Sequence, residues 1–92
     1  MTWYIYILLC DQKTYYVGLT HNIIQRFDSH QKKRNIGTKE FSDLQLVYKE
    51  QFNTRSEAER REKQLKGWTF AKKKTLIEGN MVLLKMLSKT HD

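Results

Sequence analysis

Between Met1 and Gly18 two apolar runs rich in aromatic and branched residues flank a short polar break, Asp11-Gln12-Lys13. This is the pattern of a β-hairpin, and the length of its loop constrains everything built on it. A three-residue connection pairs Cys10 with Thr14 and sets Tyr6 and Tyr16 diagonally across the strands on one face. A two-residue connection puts the two phenols on opposite faces, because a one-residue slip inverts a strand.

Beyond the hairpin, Thr20-His21-Asn22 offers caps for a helix running from about Ile23 into Lys32-Lys33-Arg34. Ile23, Ile24 and Phe27 form its apolar stripe. Asn22, Arg26 and His30, at i, i+4 and i+8, form a polar one. Lys32 to Ser42 reads as a basic irregular loop containing Gly37 and Lys39. Leu44, Leu46 and Tyr48 then alternate with Gln45, Val47 and Lys49 in a third strand, ended by Asn53 and Thr54.

Two overlapping capping boxes, Thr54 to Glu57 and Ser56 to Glu59, start a helix that runs to Lys66 and stops at Gly67. Its apolar stripe is thin: Ala58 and Leu65, with Trp68 just beyond. Glu62 falls on that stripe, and a carboxylate aimed at the body of a domain needs a partner or a task. Thr69 caps a further helix through Ile77, packed by Phe70, Leu76 and Ile77 and stopped by Gly79. Asn80 can cap a last one built on Met81, Leu84 and Leu87. The order predicts an α+β domain, a small antiparallel sheet with helices packed on it.

Ninety-two residues, with no proline and no linker-like or repeated stretch, make one small domain. The 17 Lys and Arg against 10 Asp and Glu give a net charge of +7, which suits a polyanion because counterions released from phosphates drive binding. Cys10 is the only cysteine, excluding an internal disulfide and a cysteine-based zinc site. His21, His30 and His91 lack zinc-motif spacing. The apolar run at residues 3–10 has no basic residue before it and patterns as a strand rather than a signal peptide. Met81 to Leu87, interrupted by Lys85, is too short to span a bilayer. A cytoplasmic protein without a membrane partner is the expectation.

Tyr6 and Tyr16 on the hairpin, Arg26 and His30 on the first helix and Glu62 on the second could converge. Phosphodiester hydrolysis needs a base for water, cationic support for the transition state and usually a divalent ion. This set can supply each part. Tyr4-Ile5-Tyr6 and Tyr16-Val17-Gly18 resemble the two halves of the GIY-YIG motif, with Tyr4 where that motif has glycine. The order of Arg26, His30 and Glu62 follows the same nuclease pattern. Residues 2 to about 80 are similar to the small bacterial proteins of the UPF0213 group, notably at Leu46-Val47-Tyr48 and from Arg61 to Trp68.

That resemblance implies an α/β nuclease domain over residues 1–80, with a central three-stranded antiparallel sheet flanked by helices, and residues 81–92 as a C-terminal helix and tail. It implies endonuclease activity on DNA with one Mg²⁺ or Mn²⁺ held by Glu62. Tyr6 would help deprotonate the attacking water and Tyr16 would position water or phosphate. Arg26 would neutralise phosphate charge and, together with the ion, lower the Tyr6 pKa, with His30 in support. Asn80 stands either for the family's late asparagine or for a helix cap. No obligate protein partner is implied. A nucleic-acid-binding module without catalysis is the alternative. On the nuclease reading Tyr6, Tyr16, Arg26 and Glu62 should line one cleft, and a Glu62 on the opposite side of the sheet from Tyr16 would tell against catalysis.

From Arg60 to Lys74 the chain carries seven cations against Glu62 alone. Arg60, Arg61, Lys63, Lys66, Lys72 and Lys73, with Trp68 between them and with Gly18 and Lys39 elsewhere, suit a groove that tracks a phosphate backbone. The same run also fits a merely solvated face.

Overall fold

The structure is a computed structural model and describes residues 1–34 and 37–79. Strands β1 (Trp3–Cys10), β2 (Thr14–Thr20) and β3 (Leu44–Phe52) form one antiparallel sheet in the order β2-β1-β3. Helices α1 (Ile23–Gln31), α2 (Arg55–Lys66) and α3 (Phe70–Glu78) complete the α+β domain. The late asparagine, Asn80, and the expected helix at Met81–Leu87 lie outside the described residues.

The hairpin has the three-residue connection. Cys10 pairs with Thr14, Leu8 with Tyr16 and Tyr6 with Gly18. Asp11 and Gln12 adopt left-handed backbone, φ 51° and 60°, and Lys13 N–H donates to the Cys10 carbonyl at 3.1 Å. The tip is fastened to the start of β3. The Asp11 carboxylate accepts the Ser42 and Asp43 N–H groups at 2.9 and 2.8 Å, and Asp11 N–H donates to the Asp43 carbonyl at 2.8 Å.

Period-2 alternation divides the core between two layers. Ile5, Ile7 and Val17 face one way and pack with Ala58 and Leu65 of α2 and Leu76 of α3. Tyr6, Leu8 and Cys10 face the other way with Leu44, Tyr16 and the α1 residues Ile23 and Phe27. The strict alternation expected for β3 fails at one place. Ile7 pairs with Tyr48 but Leu8 pairs with Leu46, so Val47 is the extra residue of a β-bulge. Leu44 therefore packs beneath α1, whereas Tyr48 turns toward α2.

The caps are those the sequence signals. Asn22 Oδ1 accepts the Gln25 N–H at 3.0 Å, and Thr54 Oγ1, the first of the two overlapping boxes, accepts that of Glu57 at 3.2 Å. Helix α1 stops before the basic run, with Lys33 at φ 60° and Arg34 N–H donating to the Ser29 carbonyl at 3.0 Å, a Schellman-type closure. Gly79, φ 77°, ends α3.

Candidate active site

Tyr6 and Tyr16 share the α1 face of the sheet, with ring centroids 6.4 Å apart. Between the strands the Tyr6 ring lies over Gly18, where an added Cβ would sit 2.3 Å from the Tyr6 Cζ and hydroxyl. Gly18 is thus the space into which the phenol is folded, which answers why glycine stands in the middle of a strand.

His30, in the last turn of α1, closes this pocket. Its ring is buried (0% exposed), and its centroid is 5.7 Å from that of Tyr6 and 5.2 Å from that of Tyr16. His30 Nε2 is 2.8 Å from the Tyr6 hydroxyl. Its other nitrogen, Nδ1, is 2.6 Å from Thr38 Oγ1, and Thr38 is itself buried in the loop before β3. Sequence reading missed Thr38, because a single threonine in an irregular loop carries no periodic or capping signal. The polar stripe on α1 is accordingly mixed: Asn22 caps, Arg26 is exposed and His30 is core.

Electrostatics tie Arg26 and Glu62 to the same centre. Burial pushes the Tyr6 pKa well above the usual phenol value; Tyr16 adds to the rise, Arg26 opposes it and the Glu62 carboxylate adds to it. Arg26 lowers the Tyr6 pKa as expected, but desolvation outweighs the guanidinium on its own. Burial and then Arg26 lower the His30 pKa, so the imidazole is neutral near pH 7.

The helix that carries Glu62 packs on the opposite face of the sheet from the phenols, through Ala58 and Leu65. Glu62 itself is half-buried, 3.5 Å from the exposed Lys66 ammonium, and its charge reaches Tyr6. The expected cleft shared by Glu62 and the phenols is thus not a shared face of the sheet: α2 lies on the other layer, and what links the carboxylate to Tyr6 is the reach of its charge.

No group of three or more His, Cys, Asp or Glu side chains among the described residues gathers into a metal cage. Glu62 is the carboxylate whose charge reaches Tyr6.

The cations from residue 60 onward do not form one uniform surface. Arg61 donates from Nε and one terminal nitrogen to the two Glu50 oxygens, both at 2.9 Å, and from the other terminal nitrogen to Gln64 Oε1 at 2.8 Å. Its guanidinium carbon also lies 5.2 Å from the Trp68 ring centre. Tyr48 donates to the same Glu50 carboxylate. Lys72 is 1% exposed, its ammonium 4.5 Å from the Trp68 centroid. Arg61, Trp68 and Lys72 thus serve packing, which corrects their expected place in a phosphate groove. Lys73 is partly buried, and burial lowers its pKa. Lys39, Arg60, Lys63 and Lys66 are exposed.

Along β1 from Tyr6, at the start of α1, Tyr4, His21, Asn22, Ile23, Ile24 and Lys49 line an open groove. No helix among the described residues is long and apolar enough to cross a membrane.

Comparison with known proteins agrees with this architecture. A family described as the GIY-YIG catalytic domain matches residues 2–75. A UPF0213 protein of Desulfotalea psychrophila is 34% identical over 80 residues, covering 85% of this chain and 73% of that relative. One from Staphylococcus saprophyticus is 39% identical over 75 residues, covering 80% and 92%. The solution NMR structure of a UPF0213 protein from Bacillus halodurans superposes with a TM-score of 0.56 at 29% identity, covering 85% of this chain and 84% of that one.

Proposed function

This chain belongs to the GIY-YIG catalytic domain family, and from that premise we propose that it is a divalent-metal-dependent endonuclease-like domain hydrolysing phosphodiester bonds in DNA. The observation that carries the reading is the 2.8 Å contact between the Tyr6 hydroxyl and a buried, neutral His30, within reach of the charges of Arg26 and Glu62. A phenol held against a free imidazole lone pair can pass its proton inward while its oxygen takes one from the attacking water. Arg26 is exposed and free to meet a phosphate, where a guanidinium can bind two oxygens at once. Tyr16, less buried than Tyr6, would orient water or phosphate at the mouth of the pocket. Glu62 would hold the Mg²⁺ or Mn²⁺, whose chemistry is to polarise the phosphate and support negative charge on it.

One observation favours a second reading, nucleic-acid binding without turnover. The raised Tyr6 pKa means the phenol keeps its proton unless bound metal or substrate redistributes charge around it. A cleavage assay with Mg²⁺ or Mn²⁺ across duplex, branched and single-stranded DNA and RNA separates the two. Metal-dependent cleavage that Glu62→Ala abolishes, with the circular dichroism spectrum retained, supports the nuclease. A wild-type protein that binds these substrates but cleaves none rejects it.

A further inference from the structure

We propose that Thr38 is a positioning residue that sets the tautomer of His30, accepting the Nδ1 proton so that Nε2 keeps its lone pair for the Tyr6 hydroxyl. Tyr6, His30 and Thr38 form one buried chain, 2.8 Å and then 2.6 Å. Tyr6 is 2% exposed, and His30 and Thr38 are fully buried. A neutral imidazole offers one donor and one acceptor, so the chain can run in two directions.

The burial of Tyr6 dictates which direction the pocket needs, and the Thr38 oxygen supplies the acceptor that holds the ring in it. A buried hydroxyl proton requires an acceptor, and His30 Nε2 stands at hydrogen-bond distance. Nδ1 then carries the ring proton and donates it to Thr38 Oγ1. In the reverse direction Nε2–H would donate to the phenol oxygen and occupy the lone pair needed to accept a proton from water. The direction of two hydrogen bonds thus decides whether Tyr6 can act as a base.

The residues that follow Thr38 are tied down. Phe41 N–H donates to the Thr38 carbonyl at 3.1 Å, and Lys33 Nζ reaches back to the Phe41 carbonyl. The next residues are fastened to the hairpin tip through Asp11. A threonine so anchored presents its oxygen to the ring at a fixed point, and its β-branch leaves few rotamers.

The test is spectroscopic first and rests on the nuclease reading only in its activity arm. With ¹⁵N-histidine labelling and no metal or DNA, the wild type and Thr38→Ser should show His30 protonated at Nδ1. Thr38→Val should shift the proton to Nε2, because the valine gives Nδ1–H no acceptor. In cleavage assays Thr38→Val should lower kcat roughly 10- to 100-fold with KM for DNA little changed, and Thr38→Ser should restore it. A wild-type His30 protonated at Nε2, or a Thr38→Val ring that keeps its Nδ1 proton, overturns the proposal. Should Thr38→Val fail to fold, Thr38→Ala, which also removes the acceptor, must show the same loss of the Nδ1 proton, and a retained Nδ1 proton there overturns the proposal. A wild type that cleaves nothing defeats the nuclease reading while leaving the tautomer result standing.

Discussion

The hydroxyl of Tyr6 lies over the backbone of Gly18, its strand partner, so closely that an added Cβ there would stand 2.3 Å from it. Neither residue can be understood alone, since the glycine is the floor of the phenol's pocket. Gly18→Ala should therefore expel the Tyr6 ring from its contact with His30. The cost should be about 1–3 kcal/mol, as for other overpacked sites, read from urea unfolding. Loss of the His30–Tyr6 ring cross-peaks in NMR should accompany it. A variant with unchanged stability and unchanged cross-peaks would contradict this geometry.

Stability should respond to pH on both sides of neutrality. His30 has its folded pKa lowered, first by burial and then by Arg26, so the unfolded chain binds more protons as pH falls. Stability should then decline as pH drops through about 6.5, the unfolded imidazole value. Tyr6, Tyr15 and Tyr48 have raised pKa values, mainly from burial, Tyr48 to about 12. Unfolded phenols ionise first, so stability should also decline as pH rises past about 10. Chemical denaturation across this range checks both limbs, and Tyr6→Phe should flatten the alkaline one.

Binding to DNA should weaken steeply with salt, with a log–log slope of roughly −0.9 per phosphate neutralised. Lys39→Ala, Arg60→Ala and Lys63→Ala, which remove exposed cations, should each make that slope shallower. Lys72→Met should leave the slope unchanged, because its ammonium is buried over Trp68. Fluorescence anisotropy titrations at several salt concentrations distinguish the two classes.

Arg61 should matter for the fold rather than for DNA. It holds Glu50 with two parallel bonds at 2.9 Å, and both side chains are only 22% exposed. Arg61→Ala should cost about 1–2 kcal/mol in unfolding free energy, since it leaves a half-buried carboxylate short of donors. Arg61→Lys should recover little, because an ammonium cannot make the paired contact. Equal stability of the lysine variant would show the pair to be an ordinary surface contact.

The hairpin, the three caps and the pairing of Cys10 with Thr14 were legible because each rests on neighbours in sequence. That Tyr6 and Tyr16 share a face was legible from the strand period, and His30 meets them there; the layer on which α2 carries Glu62 was not, because it depends on how a distant helix packs on the sheet. Thr38 was not, because its role depends on a loop folding back over α1. The burial of Lys72 was equally invisible: a lysine in a run of lysines looks solvated until Trp68 is placed beside it. The rise in the Tyr6 pKa had the same source, since residue spacing reports a nearby guanidinium but not the lost water.

The bulge at Val47 gives β3 two phases within nine residues. Before it, Leu44 serves the layer beneath α1; after it, Tyr48 and Glu50 serve the layer that Arg61 closes. In this edge strand, chain length is therefore as informative as residue type. A relative one residue shorter at this point must forgo either the leucine under α1 or the Tyr48–Glu50–Arg61 fastening, however similar its letters are.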